Sequence, residues 1–327
     1  MENDLRVCES MERHVNISRV LTHFTDQIPA EVVGVPGSEV CELNVGITDQ
    51  FPRETLTDFL SRTKVQHEEQ PESYEKKVCL LLIQLFSALL HLHDEAVVHR
   101  DLSTDNLFLL DNALLMVTNF THAHRQLSHS SPFLLRRDSL SHLGGNEDRL
   151  PPEILNAPED AKTLDFEKCD VFAAGCLVYE MLHEKNPYSR DSSLIKGEYQ
   201  ANEPFSLPER SCYSMGLRKI ASKLLCTDPQ QRIDAKKALE MLRVVLWGPD
   251  CLEDSGTCSL ENMASDWIEN ERLHMVTLFA LNQVQTCEDE PDDFMEKFLK
   301  CQYLVEANEQ SILDSYKQVI MNAEGEN

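Results

Sequence analysis

The sequence is short of positive charge. Its 327 residues carry 30 Lys and Arg against 56 Asp and Glu, a formal net charge of −26 and a pI of about 4.8. Such a chain has no bulk attraction for nucleic acid or for an anionic membrane surface, so neither is expected as a partner. No lysine occurs before Lys64, which leaves the first part of the chain without an ammonium group for holding a phosphate. Glycine is scarce, and Gly34, Gly37 and Gly46 do not fall into a G-x-G-x-x-G phosphate cradle. The eleven cysteines contain no C-x-x-C pair. Cys251 and Cys258 have the wrong spacing for a zinc knuckle and no histidine pattern beside them, so no metal is expected. Reduced thiols in the cytosol are the simplest reading. No secretory leader is expected from the opening residues. The densest apolar run, Val78 to Leu92, is broken by Gln84 and Ser87, so membrane insertion is not expected.

Against these absences stands one dense motif. Val98 to Asn106 reads Val-His-Arg-Asp-Leu-Ser-Thr-Asp-Asn. His99-Arg100-Asp101-Leu102 followed by Asn106 is the H-R-D-L-x-x-x-N pattern of a protein kinase catalytic loop. In such a loop the Asp accepts the proton of the substrate hydroxyl, and the Asn binds one of two magnesium ions. The second half of the metal site should follow a short β-like pair, where an active kinase has Asp-Phe-Gly. This chain has Asn119-Phe120-Thr121. Phe120 keeps the packing residue, but Asn119 offers an amide where magnesium wants a carboxylate. Ser103 stands where many serine/threonine kinases place a phosphate-contacting Lys.

In chain order, Arg13 to Leu21 resembles the H-P-N-I-x-x-L segment that follows the N-lobe helix of a kinase. The chain is therefore expected to begin near that helix, and Glu39 to Ile47 to form the last N-lobe strand. Either the lobe is truncated or the sequence continues upstream. Thr55 to Thr63 predicts a short helix with Leu56, Phe59 and Leu60 inward. Pro71 opens a long one, with Glu72 in its first turn and Val78, Leu81, Leu82, Leu85, Leu89 and Leu92 at helical spacing. His91 and His93 read as core-edge histidines, since i and i+2 point to different faces. Thr121 to Leu150 is the activation segment, with His122 and His124 solvated. Arg136-Arg137-Asp138-Ser139 has the form of a basophilic phosphorylation site, although a solvated loop is the favoured reading. Pro151-Pro152-Glu153 stands at the A-P-E position and Asp170 to Gly175 at the D-V-W-S-F-G position. Asn186-Pro187-Tyr188 ends that unit, and Asp228 to Arg232 matches D-P-x-x-R. Asp170 is expected to hydrogen-bond the catalytic-loop backbone, and Glu153 and Arg232 to form a buried ion pair. Beyond an acidic linker, Gly248 to Cys258, three helical segments follow. They carry Trp267 and Phe279, then Phe298, then Ile312 to Ile320, with more apolar surface than one lobe has an obvious place for.

Several blocks resemble the PEAK family of pseudokinase scaffolds, which includes pragmin. They are Gly46 to Phe59, Gln70 to Asn106, Val117-Thr118-Asn119-Phe120, Val245-Leu246-Trp247-Gly248-Pro249, Trp267-Ile268 and Lys300-Cys301-Gln302-Tyr303-Leu304. Ordinary kinases lack the Leu-Trp-Gly-Pro and Cys-Gln-Tyr-Leu blocks. The resemblance implies a cytoplasmic scaffold in cytoskeletal and tyrosine-kinase signalling. It also implies dimerisation through helices that flank the kinase-like domain.

The expectation is an α+β chain with a protein-kinase-like fold: a reduced N-lobe, a mainly helical C-lobe and a C-terminal helical extension. Residues 1–248 form the kinase-like domain (N-lobe remnant 1–60, C-lobe 61–248), and 249–327 the extension and dimerisation region. The function expected is a catalytically inactive signalling scaffold that needs no cofactor. Asp101 is a vestigial base, Asn106 a vestigial ligand and Asn119 the degenerate metal position. His99, Arg100, Glu153, Asp170 and Arg232 are structural, and Trp267, Phe279 and Phe298 are dimer anchors. Expected partners are a second copy or a related pseudokinase, and signalling adaptors. The expected location is the cytoplasm, at the cytoskeleton or focal adhesions. The competing readings are a weakly active ATP-dependent kinase that uses Asp101 as base, and a folded fragment with no role of its own.

Overall fold

The computed structural model describes residues 2–29, 40–48, 53–110, 113–125, 133–136, 149–184, 212–248, 265–273 and 291–319. Phe279, Ser139 and Asn186-Pro187-Tyr188 lie outside them. The N-terminal part is a helix, α1 (Glu2–Glu9), and an antiparallel pair, β1 (Val20–Pro29) and β2 (Val40–Thr48). β2 is the strand expected from residue 39 on. β1 is new, although Val20, Thr22 and Phe24 already show β-branched and aromatic residues at every second position.

The turn between α1 and β1 is fastened to the C-lobe by polar contacts. Asn16 is buried and donates through Nδ2 to Gln84 Oε1 at 3.1 Å and to Leu115 O at 2.9 Å. Its carbonyl accepts from Val117 N at 2.8 Å, and Ser18 N donates to Val117 O at 2.9 Å. Gln84 also accepts from Leu115 N at 2.9 Å and donates to Ala113 O at 3.1 Å. The residue that interrupts the apolar run is thus a fully buried staple joining three segments, with its amide satisfied on both ends.

A short strand β3 (Glu54–Thr55) leads into α2 (Leu56–Glu69) through a capping box between Thr55 and Asp58. α3 (Pro71–Asp94) starts on its proline and runs for 24 residues. Its length and composition would suit a bilayer, but Leu82, Leu85, Phe86, Leu89 and Leu92 are fully buried in the core. β4 (Val97–Val98) pairs with β7 (His124–Arg125), and β5 (Leu107–Leu109) with β6 (Leu115–Val117) and β3. β8 (Leu134–Arg136) pairs with β9 (Thr163–Asp165), and α4 (Pro152–Leu155) lies between them in sequence. His122 and His124 are half-buried rather than solvated, because β7 lies against β4.

α5 (Cys169–Met181) is buried on nearly every side. Gly175 permits this: a Cβ there would come within 2.9 Å of both Leu224 and Leu225, at the end of α6 (Met215–Leu224). α7 (Ala235–Trp247) then packs on α3.

Three further helices follow: α8 (residues 265–273), α9 (Pro291–Glu306) and α10 (Glu309–Val319). The apolar surface of α9 and α10 is not left over. Met295, Leu299, Tyr303 and Leu304 of α9, and Ile312, Tyr316 and Val319 of α10, join the same hydrophobic core as α3, α5 and α7. The outer side of α7 supplies the missing cover, which helical spacing alone cannot reveal. Trp267 also packs inward, 6.5 Å from the Tyr303 ring. Among the described residues of these helices, Leu273 of α8 and one line on α9 stay outside, the line being Phe294, Phe298 and Val305, 50%, 40% and 77% exposed.

Candidate functional site

The loop after β4 is held from below by a buried carboxylate at the start of α5. Asp170 Oδ2 accepts from His99 N at 2.8 Å, and Oδ1 from Arg100 N at 2.8 Å. His93 Nε2 lies 3.3 Å from Oδ2. Burial alone would raise the Asp170 carboxyl pKa. The contacts with His93 and His99 outweigh it and hold the group below its ordinary value. His93 and His91 have separate partners: His91 stacks on His14 at 4.9 Å and meets the Glu12 carbonyl.

Arg100 takes a left-handed backbone, φ 67°. That costs a non-glycine residue free energy, and the surroundings over-determine it. Besides Asp170, Arg100 donates to His122 O at 3.1 Å and lies 5.0 Å over the Phe166 ring. His99 Nε2 is 2.9 Å from Thr118 O, a pure acceptor, while Nδ1 receives Asp101 N at 3.3 Å. Those partners require the neutral ring with its proton on Nε2. The ring edge meets Phe120 at 5.0 Å, so the catalytic-type loop and the Asn119-Phe120 turn are packed as one body.

Asp101, Asn106 and Asn119 come together above this floor. Asn106 Nδ2 donates to Asp101 O at 2.7 Å and to Asp101 Oδ2 at 3.1 Å. Asn119 Nδ2 donates to Asn106 Oδ1 at 3.0 Å and reaches Asp101 Oδ2 at 3.5 Å. A kinase of this fold would hold magnesium and ATP here, and these residues do not fit them. A hard dication needs oxygen ligands, yet the cluster points amide N–H groups at its centre and uses the Asn106 oxygen to accept one of them. Asn119 contributes no charge, and α1, β1 and β2 have no lysine to take the phosphates. Asp101 keeps a carboxylate that could accept a proton, but among the described residues nothing beside it positions a phosphoryl group. Among the described residues no group of three or more His, Cys, Asp or Glu could hold a metal ion.

A residue that sequence reasoning missed fastens the segment that follows Asn119. Asn3 on α1 donates through Nδ2 to Phe120 O at 2.8 Å, Ala123 O at 2.8 Å and Thr121 O at 3.1 Å. Two hydrogens serve three carbonyls, so one is shared. Asp4 accepts from Thr121 Oγ1 at 3.2 Å. Only the fold brings α1 over residues 120–123; nothing in its local sequence marks Asn3 out.

Farther off, Arg232 donates to Glu153 at 2.6 and 3.1 Å, to Cys226 O at 2.8 Å and to Lys168 O at 3.1 Å. Its guanidinium lies 4.8 Å over Phe172 and its side chain is fully buried. Ser103 is a buried residue of the loop itself. Phe298 lies on the outer face of α9, and neither it nor Trp267 is near the cluster in the fold described.

A catalytic-type loop, a buried Asp under its backbone and a Glu–Arg pair, on this order of helices, define a protein kinase fold. The chain belongs to the protein kinase domain family, whose model matches residues 2–242. Within it the chain is similar to two proteins named inactive tyrosine-protein kinases. One is PRAG1 of Homo sapiens, 27% identical over 94% of this chain and 26% of the relative. The other is PEAK1 of Mus musculus, 32% identical over 82% of this chain and 16% of the relative. This chain thus spans only about a quarter or less of the relatives' length. It also superimposes on the crystal structure of the pseudokinase PEAK1 (Sugen Kinase 269) with a TM-score of 0.77 at 32% identity, over 97% of this chain and 79% of that one. The resemblance to that family holds, and with it the pseudokinase fold.

Proposed function

We propose that the chain acts as a pseudokinase scaffold in signalling, through protein contacts and not phosphoryl transfer. The observation that carries this is the Asn119 amide at the metal position, hydrogen-bonded to Asn106 in a lobe that keeps the Asp170 contacts under the loop and the Glu153–Arg232 pair. A fold kept while its metal chemistry is dismantled is a surface for binding. The reading places the protein in the cytoplasm, at the cytoskeleton or focal adhesions, with signalling adaptors among its partners. The free thiols of the described cysteines suit a reducing compartment, and the relatives' names, inactive tyrosine-protein kinases, suit the signalling part of the reading.

The reading also includes self-association, or pairing with a related pseudokinase, through the outer line of α9. Phe294, Phe298 and Val305 are separated by four and then seven residues, so they share one helix face. A two-fold contact would place the same line of each copy against the other. Light scattering on the parent and on a Phe294→Glu, Phe298→Glu double variant tests this. A dimer at tens of micromolar that the substitutions dissociate supports it; a parent that stays monomeric there overturns it.

A further inference from the structure

The exposed aromatic residues of α9 stand beside a cavity. Phe294 and Phe298 are half-exposed and one turn apart, so they share a helix face. Met295, next to Phe294, is buried and lines a cavity of about 280 Å³. α2, α3, β3 and the β5–β6 turn supply the rest of its wall. Lys76 on α3 and Glu296 on α9 are 2.6 Å apart and tie the helix to that wall. The aromatic line and the cavity are thus fixed side by side.

The cavity suits an aromatic ring. An apolar space of about 150 Å³ already holds a benzene molecule, and this one is larger. Phe59, Leu80, Leu81 and Met295 form its apolar lining, so an entering ring meets an aromatic partner in Phe59. The lining also holds three cations, Arg53, Arg62 and Lys77, against one carboxylate, Glu54. On a chain of net charge −26 that positive sign is local. The opposite sign stands next to Phe294 in the sequence, where Asp292 and Asp293 directly precede it. Phe294 is not among the residues that line its own chain's cavity. A two-fold contact needs a self-complementary surface. A ring beside a cavity is one, because each copy offers both halves. Packed helices lie about 8–10 Å apart, so two α9 helices that meet at their first turns bring each Phe294 to the wall beside the other's Met295.

We propose that Phe294 of one copy inserts into the cavity between α2, α3 and α9 of a second copy, and the reverse. This rests on self-association through α9 and adds the surface that receives it, which lies outside the C-terminal helices.

The test compares the full chain with Phe294→Glu, with Lys77→Glu on the cavity wall, and with Val65→Glu, an exposed α2 residue outside the cavity. Light scattering gives the dimer dissociation constant of each, and circular dichroism checks each fold. A second arm mixes light and heavy-isotope copies that carry the photo-cross-linker benzoylphenylalanine at position 294. The expected result is a parent dimer weakened at least about tenfold by Phe294→Glu and by Lys77→Glu, and unchanged by Val65→Glu. Light-to-heavy cross-links should run from position 294 to residues 59–63 or 77–81. A monomeric parent overturns both the proposal and the self-association reading. A dimer that Phe294→Glu weakens and a folded Lys77→Glu does not, or one whose cross-links reach only the other copy's α9, overturns the cavity contact and leaves that reading standing. Should Lys77→Glu not fold, the cross-links decide.

Discussion

Asn119 presents the nitrogen of its amide, not the oxygen, to the Asp101 carboxylate, 3.5 Å away. The same nitrogen binds Asn106 Oδ1 at 3.0 Å. The carboxylate of the catalytic-type loop is therefore one acceptor in a local hydrogen-bond net, with Asn106 Nδ2 as its nearer donor. Replacing Asp101 by Asn sets a third amide in that net and removes a charged acceptor. We expect a loss of about 1 kcal/mol in a urea titration with no change in partner binding. Partner binding that collapses in Asp101→Asn while the fold survives would show a role for this carboxylate beyond the net.

Arg232 and Glu153 make the strongest test of the C-lobe frame. The Arg232 side chain is fully buried and that of Glu153 is 20% exposed. Removing one partner of a buried pair strands the other, which typically costs about 3–5 kcal/mol. Arg232→Met should therefore lower the urea midpoint sharply, and Glu153→Gln should move it the same way. A midpoint within experimental error of the parent in both contradicts the assignment.

Gln84 offers a test in which a more apolar residue is worse. Gln84→Leu adds hydrocarbon to a core helix, yet it leaves Leu115 N without an acceptor and takes one from Asn16 Nδ2. Buried groups left unpaired cost about 1–3 kcal/mol each, so we expect a net loss of about 2 kcal/mol. Hydrogen exchange should rise first at the α1–β1 turn, which Gln84 holds to the lobe. A more stable Gln84→Leu protein contradicts this.

His14 makes the fold sensitive to acid. Burial, and then the neighbouring His91, lower its pKa from the ordinary 6.5 to about 4. Its Nδ1 accepts from Asn16 N at 3.1 Å, a bond that only the neutral ring can make. The folded pKa lies below the unfolded one, so the contribution is complete above pH 6.5 and is lost as pH falls from there toward 4. The melting temperature should drop between pH 7.5 and 5, and His14→Gln should lose less over that interval than the parent. An equal drop in both assigns the acid sensitivity elsewhere.

Much of this was legible in the sequence, and the gaps have physical causes. The 3.6-residue spacing from Val78 to Leu92 places α3, and Ile312, Leu313, Tyr316 and Val319 place α10. Spacing says that such a face is covered, not by what. The cover turned out to be α7 of the same chain rather than a second copy, and Trp267 went inward with it. Gln84 reads locally as an interruption, because three of its four partners, Asn16, Ala113 and Leu115, lie far off in sequence. Asn3 is legible only once α1 is set over residues 120–123. The position of Asn119 could be read at once, because the motif fixes it; the direction of its amide needed the fold.

The central claim is that this fold does not hold magnesium-bound ATP. It is tested most directly by the thermal stability of the full chain with ATP, with and without magnesium, beside an Asn119→Asp variant. The account predicts no magnesium-dependent rise in melting temperature for the parent, since a neutral amide donates where a ligand oxygen is needed and no lysine precedes Lys64. A clear, saturable, magnesium-dependent rise in the parent would contradict it.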